Sequence, residues 1–392
     1  MIGDRSTRRV RLFEAEASSR DSGPVIVLDV TELSETRLAQ LRDRYPSIAL
    51  RIEAWPESMR CRHFLMHRGA SQAAAEHSPV ASERELEFEK SQGNFLHPQF
   101  GRQIHWGTVS LLETLRQVIE PHCCFSFHDS RDVELLSNKR ACQHFFESSG
   151  LPVPEILAFP TSYDEVREVT RIRGRCFLKC AHGSGASGCL AFHESQGTIR
   201  CFTMLRWLEN ASGPWLYCGL ELRVLTNELE IARIVDRICQ ERAHLEHWIP
   251  KATVGGRNFD LRMVSIGGRV RHVVARVSPS PFTNLNLMNK RLSLQDLLQA
   301  LGPKQALGVE AAVQVCEQAA RLFPGTATIG FDVAVDRRGQ PWILEANPFG
   351  SLLPGVLHQG RDTYATEMDF ALQSLGGGAK HGFPASTRTE LC

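Results

Sequence analysis

The arrangement of apolar and polar residues predicts helices and strands that alternate along most of the chain. Apolar residues recur every three or four positions in several segments, a spacing typical of helices with one buried face. The predicted helices are 34–45, 106–119, 137–150, 305–322 and 364–375. Short apolar or alternating runs bounded by turn residues predict strands. These are 24–30, 48–54, 62–66, 123–127, 176–179, 189–192, 258–266, 270–277, 331–335 and 342–344. The pattern indicates an α/β protein.

Both chain ends lack this pattern. Residues 1–22 are charged and have no periodicity, which predicts a mobile arm or an edge segment. Residues 376–392 begin with a run of glycine, and we expect them to be disordered. A chain of 392 residues exceeds the length at which one hydrophobic core stops growing. We therefore expect two or three units, the first a small α/β domain over 1–130.

Composition narrows the classes of partner and location. Apolar residues make up 42% and charged residues 23% of the chain, as in ordinary soluble proteins. With 45 basic and 44 acidic side chains, no overall field would attract nucleic acid or an anionic membrane, so we expect neither as a partner. No signal peptide or membrane-length apolar run is visible, which predicts a cytoplasmic protein with its 12 cysteines reduced. The sequence does not specify an oligomeric state.

The segment 330–348 predicts a hairpin of two short strands joined by a polar turn. Asp332 lies on the first strand, and Glu345 and Asn347 leave the second. Because a hairpin brings its ends together, two carboxylates and one amide oxygen would converge. Such oxygen donors suit Mg²⁺ held together with nucleotide phosphates. The alternative is a solvated hairpin whose acidic residues occupy only its polar face.

A glycine-rich loop, 183–188, separates the predicted strands 176–179 and 189–192. It has the spacing GxGxxG, but neither a following helix nor a Gly-Lys-Ser/Thr segment is present, so it is neither a dinucleotide fingerprint nor a P-loop. A glycine-rich hairpin can instead close over phosphates, with its backbone amides donating to oxygen. The alternative is an ordinary tight turn.

Single charged residues add to this picture. Lys139 lies in the first turn of a predicted helix, where a cation is unfavourable to the helix dipole, so it is either solvated or retained for an anion. Asp260 and Arg262 share one face of the predicted strand 258–266. His182 and Lys251 lie beside these segments, and the sequence assigns neither of them a role.

Taken in order, these features resemble the ATP-grasp superfamily over residues 131–375. The Asp-Leu-Arg strand at 260–262, the Thr-Asn-Leu segment at 283–285 and the Glu-Ala-Asn ending at 345–347 are most similar to the ribosomal-protein glutamate ligase and glutathione synthase branch. The resemblance implies an α/β ATP-grasp fold in which two subdomains, 131–245 and 246–375, clasp a nucleotide. The preceding domain, 1–130, would help to bind the substrate.

The resemblance also implies roles for individual residues, with ATP and Mg²⁺, or Mn²⁺ in its place, as cofactors. Lysines would contact the phosphates, 246–249 the adenine, Asp260 the ribose, and the glycine-rich loop would cover the nucleotide. These cofactor-binding residues are Lys139, Lys179, Ser184, Gly185, Ser187, Gly188, Glu246, Trp248, Ile249 and Asp260. The implied catalytic residues, acting on the transferred phosphoryl group, are Arg262, Arg276 and Asn284. The implied metal ligands are Asp332, Glu345 and Asn347.

The implied activity is ligation of a carboxylate to an amine, each belonging to a small molecule or a peptide. The carboxylate would attack the γ-phosphate of ATP, and an amine would displace phosphate from the acyl phosphate. The absence of a nucleophile elbow agrees with this chemistry, since the protein needs no nucleophile of its own. Two alternatives are a phosphotransferase, which forms no amide, and a catalytically inactive nucleotide-binding protein. The complete metal-ligand set disfavours the inactive protein.

Overall fold

A computed structural model describes residues 1–20, 23–55, 58–92, 99–183, 185–210, 213–285 and 289–376. The predicted disordered tail, 376–392, lies outside the described residues except for residue 376. None of the helices in these ranges is both long and apolar enough to span a lipid bilayer.

The first part of the chain packs helices around short parallel strands. Its elements are β1 (Ile2–Gly3), α1 (Arg8–Ser18), β2 (Leu28–Asp29), a 3₁₀ helix (Val30–Glu32), α2 (Glu35–Arg44), β3 (Ile48–Leu50), α3 (Met59–Ala75), α4 (Glu83–Gln92), α5 (Gly101–Val118), a second 3₁₀ helix (Glu120–His122), β4 (Cys123–Ser126) and α6 (Ser130–Leu136). β1 pairs with β2 and β3 with β4, both in parallel. Ile2 also bridges Ile52, so β1 lies between β2 and the segment after β3.

Two sequence predictions in this part are wrong. Residues 1–22 were expected as an arm or an edge, but β1 is paired on both sides and α1 buries Val10, Phe13 and Ala17. These three residues form a helical stripe that dense flanking charges hide in the sequence. The predicted strand 62–66 is part of α3, which begins after the N-cap Ser58. Five residues are too few to separate a helical period from a strand period.

The middle part of the chain forms a six-stranded antiparallel sheet, here called the first sheet. Its elements are α7 (Lys139–Ser148), β5 (Ile156–Ala158), α8 (Tyr163–Arg173), β6 (Arg175–Cys180), β7 (Cys189–Ser195), β8 (Thr198–Asn210), β9 (Gly213–Leu225), α9 (Glu228–Cys239) and β10 (Ala243–His247). The strand order is β5-β10-β6-β7-β8-β9, so β10 and β6 are neighbours near one end. The sequence predicted α7, β6 and β7 but not the long hairpin of β8 and β9.

The last part forms the second sheet. Its elements are β11 (Thr253–Val254), β12 (Arg257–Ile266), β13 (Arg269–Ser278), β14 (Lys290–Ser293), α10 (Leu294–Ala300), α11 (Pro303–Arg321), β15 (Thr328–Val335), β16 (Pro341–Asn347) and α12 (Thr363–Gly376). The strand order is β14-β13-β12-β15-β16, and β11 also pairs with β12. The predicted helix over 305–322 is confirmed as α11, which buries Val309 and Cys316.

Charged contacts join the first part of the chain to the two sheets. The Glu241 carboxylate, which follows α9, accepts hydrogen bonds from the backbone N–H of Phe100 (2.8 Å) and of Arg102 (3.1 Å) and so caps α5. On the second sheet, Glu367 of α12 pairs with the buried Arg51. These contacts place the first part of the chain against both sheets.

Helices α3 and α5 are in unusually close contact. A Cβ atom added to Gly69 of α3 would lie 2.0 Å from the carbonyl oxygen of Gln103 and 2.6 Å from the backbone nitrogen of Gly107, both in α5. Both atoms belong to the backbone, so a side chain at Gly69 would force the helices apart. Two glycines therefore set the distance between the helices.

We predict that Gly69→Ala destabilises the protein by about 1–3 kcal/mol, because the added methyl group overpacks this contact. Helix propensity alone would give the opposite sign, a gain of about 1 kcal/mol. The free energy of unfolding in urea decides between them. Ser71→Ala, on the exposed side of the same helix, is the control and should be neutral or slightly stabilising. A Gly69→Ala protein more stable than its parent would contradict the prediction.

Candidate active site

Strand register in the second sheet assembles a row of charged side chains. Asp260 of β12 lies opposite Arg276 of β13. Two residues further along β12, Arg262 lies opposite Asp332 of β15, and Asp332 lies opposite Glu345 of β16. Because alternate residues of a strand share a face, Asp260 and Arg262 present their side chains together, as predicted.

Direct contacts link this row. The Nε and one terminal nitrogen of Arg276 donate to the two carboxylate oxygens of Asp260 at 2.7 and 2.8 Å. The Arg276 guanidinium also lies 3.2 Å from Oδ1 of Asp332, to which Arg262 donates at 2.7 Å. Two arginines therefore meet at Asp332, and Arg276 bridges the two aspartates.

Asp260 is buried at the centre of this network. Its carboxylate also accepts a hydrogen bond from Thr283 and lies 3.3 Å from Nζ of Lys251, which donates to the Thr283 hydroxyl at 2.9 Å. Burial alone would raise the pKa of Asp260, but Arg276 and Lys251 outweigh it and hold that pKa well below its usual range. Asp260 is therefore a carboxylate that two buried cations depend on.

A β-bulge shapes the strand that carries Glu345. Asp332 pairs with Glu345 but Val333 pairs with Ile343, so Leu344 has no partner across the ladder. Its carbonyl oxygen lies 3.5 Å from Nζ of Lys179, which belongs to the first sheet. Bulges of this kind redirect side chains next to active sites. Here the bulge brings β16 within reach of the opposite sheet.

Lysines from the other side of the molecule approach the same carboxylates. Nζ of Lys139, at the start of α7, lies 3.2 Å from Oε1 of Glu345 and donates to the carbonyl oxygen of Gly183. Lys179 of β6 forms an ion pair with Glu246 of the neighbouring β10. Burial would raise the pKa of Glu246, but Lys179 and His244 together outweigh burial and lower that pKa. Neither lysine is an ordinary solvated side chain.

A cleft that is open to solvent lies between the two sheets and is here called the intersheet cleft. Its lining combines residues of β6 and β10 with residues of β12, β13, β15 and β16. The predicted site residues that line it are Lys179, Glu246, Ile249, Asp260, Arg276, Asn284, Asp332 and Glu345. Sequence reasoning therefore selected residues that are distant in the chain and converge in space.

Other predicted residues lie next to this cleft. Lys139 and Arg262 contact its acidic residues, and Asn347 lies two residues beyond Glu345 on the same face of β16. Trp248 packs its ring against Phe177, with ring centres 4.9 Å apart. The role predicted for Trp248 belongs to its backbone, which continues β10.

The glycine-rich loop approaches the cleft at Ala186. Ser184 lies outside the described residues. Gly185 and Gly188 have φ of 65° and 75°, a left-handed backbone that glycine adopts without strain. Ser187 is buried at the base of the loop.

His182, which the sequence left without a role, faces away from the cleft. It is buried and stacks on His105 of α5, with ring centres 3.8 Å apart and planes 16° from parallel. The start of the glycine-rich loop is therefore anchored to the first part of the chain.

Sequence reasoning missed several residues of the site. The sequence assigns Lys251 no role and indicates Thr283 only as part of the Thr-Asn-Leu segment. It does not indicate His244, although His244 shares a face of β10 with Glu246. Its alternation with Glu246 would have been the signal, but the pattern did not predict β10 as a strand.

The donor set around Asp332 fits a hard divalent cation. Asp332, Glu345 and Asn347 offer two carboxylates and one amide oxygen on neighbouring strands, and Mg²⁺ prefers oxygen ligands. Within the described ranges, no group of three or more His, Cys, Asp or Glu side chains could hold a metal by itself. The chemistry therefore matches a magnesium ion that shares its coordination with a ligand such as a nucleotide.

Solved structures share this fold. The ATP-grasp ligase PsnB, complexed with a phosphomimetic variant of its minimal precursor, Mg and ADP, aligns with a TM-score of 0.52 at 13% identity, over 95% of this chain and 97% of PsnB. The D-cycloserine synthetase DcsG aligns with a TM-score of 0.53 at 12% identity, over 95% of this chain and 98% of DcsG. D-alanine–D-alanine ligase from Bacillus anthracis aligns with a TM-score of 0.50 at 9% identity, over 96% of this chain and 97% of the ligase. These alignments define an ATP-grasp fold.

The sequence then assigns the family. Residues 151–355 match the YheC/D like ATP-grasp family, and the chain belongs to that family. Comparison with curated protein sequences finds no match. The predicted ATP-grasp fold is confirmed, as is the expectation of an enzyme that uses ATP and Mg²⁺. The similarity to the glutamate ligase and glutathione synthase branch stays a prediction.

We predict that Asp260→Asn destabilises the protein by about 3–5 kcal/mol, because it removes the buried carboxylate that pairs with both Arg276 and Lys251 and leaves Arg276 only its contact with Asp332. Asp369→Asn is a matched control at a partly exposed pair with Arg20 and should cost less than about 1 kcal/mol. Urea unfolding of both variants measures the difference. Equal, small effects would mean that Asp260 is not the residue on which the network depends.

Proposed function

We propose that this protein is an ATP- and Mg²⁺-dependent carboxylate–amine ligase. The observation that carries the proposal is the pairing of cations with carboxylates around one cleft. Lys139 faces Glu345, Lys179 faces Glu246, and Arg262 and Arg276 face Asp332. Each of these charges has an opposite partner in the free protein and can change partner when an anion and a metal enter together.

The partner exchange follows from the charges. Lys139 and Lys179 would donate to nucleotide phosphates, and Arg262 and Arg276 would neutralise charge on the transferred phosphoryl group. Asp332, Glu345 and Asn347 would hold Mg²⁺, which shields the phosphates from the carboxylates. Asn284 lines the cleft and would orient the same phosphoryl group. Asp260 would hold the ribose hydroxyls, and Glu246 with the backbone at Trp248 and Ile249 would bind the adenine edge.

The reaction needs no nucleophile from the protein. The substrate carboxylate oxygen would attack the γ-phosphorus and ADP would leave, which gives an acyl phosphate. The amine would then attack the acyl carbon and phosphate would leave, with one proton released from the nitrogen. Cys189 also lines the cleft, but burial raises the pKa of its thiol to about 11, so no thiolate competes.

The substrates would reach the cleft beside the first part of the chain. We infer that residues 1–130 form a domain that selects the substrate, and that 131–245 and 246–375 are the two subdomains that clasp the nucleotide. The glycine-rich loop would cover the phosphates through the backbone of Gly185, Ser187 and Gly188. Among proteins of similar fold, PsnB has been solved with a variant of its minimal precursor, and DcsG is a D-cycloserine synthetase. The carboxylates and amines to test are those of small molecules and of peptides, as the sequence resemblance implies.

The deciding experiment incubates the protein with Mg²⁺ and ATP and with pools of amino acids or peptides. A ligase releases ADP and yields an amide. The mass of this product equals the summed masses of the carboxylic acid and the amine minus the mass of one water molecule. ADP release with a phosphorylated product and no amide would identify a phosphotransferase. Failure to release ADP with any pool, together with ATP binding that Mg²⁺ does not strengthen, would refute an enzyme of either kind.

We predict that Glu345→Gln abolishes the Mg²⁺-dependent strengthening of ADP binding and any turnover, while the fold remains. The amide keeps the shape of the carboxylate but removes a negative charge from the metal site. Titration calorimetry with and without Mg²⁺ measures the effect. Glu317→Gln, the same change in a surface pair with Arg269, is the control. If Mg²⁺ strengthened ADP binding to the Glu345→Gln variant as much as to the parent, Glu345 would not be a ligand of the metal.

We predict that Lys139→Met weakens binding of Mg²⁺ and ADP about tenfold or more, because a charge-assisted hydrogen bond contributes roughly 1.5–3 kcal/mol. Thermal stability should change little, since Glu345 is partly exposed and can be hydrated. Lys304→Met, at an exposed position of α11, controls for loss of a positive charge. Equal affinity in the two variants would place the phosphates away from Lys139.

A further inference from the structure

His244 lies directly behind the Lys179–Glu246 pair. It precedes Glu246 by two residues on β10, so both side chains share one face, and register places it opposite Lys179 of β6. The side chain of His244 is fully buried. Leu245, on the other face, belongs to the hydrophobic core of the first sheet. An apolar residue would serve packing equally well at His244, so its ring nitrogens need another explanation.

These nitrogens have no hydrogen-bond partner within the described part of the chain, and neither has Oε2 of Glu246. Nε2 of His244 lies 3.8 Å from that oxygen, which is too far for a hydrogen bond. Buried polar atoms in folded proteins are nearly always satisfied, and an exception calls for a specific reason. Here a donor and an acceptor face each other with a gap of about 1 Å to close.

The Lys179 ammonium at present satisfies the other oxygen of Glu246. This inference rests on the proposed function, in which the same ammonium donates to a nucleotide phosphate. When Lys179 turns to the phosphate, Glu246 loses this ion pair while its Oε2 is still buried and without a donor in the described part of the chain. A buried carboxylate without a donor is costly, and that cost would be subtracted from nucleotide affinity.

We propose that His244 is a positioning residue that donates to Glu246 when Lys179 turns to the nucleotide. The imidazole replaces the ammonium as partner of the carboxylate, which holds Glu246 in place and leaves Lys179 to the phosphate. No bond is formed or broken in this exchange. His244 touches neither nucleotide nor substrate and acts through Glu246.

The state of the ring suits this role. Burial lowers the pKa of His244, with Lys179 and Arg140 acting in the same direction and Glu246 opposing them, so the ring is neutral at physiological pH. A neutral imidazole carries one N–H, and with no competing partner that proton is available on Nε2. A space between α7, β10 and β16, open to solvent, adjoins His244 and Glu246.

The test measures binding of ADP and of adenosine, each with Mg²⁺, to the full-length protein by titration calorimetry. His244→Leu should weaken ADP binding about tenfold, the effect of losing one hydrogen bond to a charged group. Adenosine binding should change less than twofold, since adenosine does not draw Lys179 from Glu246. His244→Gln keeps an N–H donor and should bind ADP within about threefold of the parent.

A double-mutant cycle separates this role from packing. In a Glu246→Gln background, His244→Leu should change ADP affinity less than twofold, because its target is gone. Thermal unfolding gives a second readout: His244→Leu should leave the free protein as stable as the parent or more stable, since it removes unsatisfied buried atoms. His272→Leu, at a buried histidine of β13, is the control and should leave ADP affinity unchanged.

Additive effects in the cycle, or equal losses for ADP and adenosine, would overturn the inference and leave the proposed function standing. So would ADP affinity that falls only in proportion to lost thermal stability. If the parent protein binds neither ADP nor ATP with Mg²⁺, the proposed function fails and this inference fails with it.

Discussion

The interaction on which the site depends is the buried pairing of Asp260 with Arg276, fixed by the register of β12 against β13. Two charges taken out of water are costly unless each has its partner in good geometry. The pairing extends through Arg276 to Asp332 and through Asp332 to Arg262. A shift of one residue in this register would turn the whole row to the opposite face. The ion pairs therefore form only in this strand register.

In the cleft between the sheets each charge is paired with an opposite one, and this pairing makes the cleft a binding site. Cations and carboxylates satisfy one another in the free protein, as in the pairs of Lys139 with Glu345 and of Lys179 with Glu246. A ligand that carries both phosphates and a metal can pair with the cations and with the carboxylates of the cleft. An anion alone would pair only with the cations, and a metal alone only with the carboxylates. The geometry thus favours a metal–nucleotide complex over either component alone.

The first part of the chain touches both sheets at points close to this cleft. Glu241, which follows α9, caps the start of α5. His105 of α5 stacks on His182 at the start of the glycine-rich loop. On the other side, Arg9 of α1 donates to the carbonyl oxygen of Phe349, two residues beyond Asn347. Both the loop and the end of β16 are therefore supported from outside their own sheets, which limits how far they can move independently.

The sequence by itself determined the chemical groups of the site and the local elements that carry them. Glycines in the loop, two acidic residues and an asparagine in a hairpin, and an alternating Asp-Leu-Arg strand follow local rules of spacing, so Asp332, Glu345 and Asp260 were recognisable without a structure. The tertiary structure decided which groups meet. The pairing of Lys179 with Glu246, the bulge at Leu344 and the orphaned His244 depend on contacts between distant strands, and no local period encodes register. The packing of α1 against α12 through Phe13 and Tyr364 is likewise a contact between distant parts of the chain.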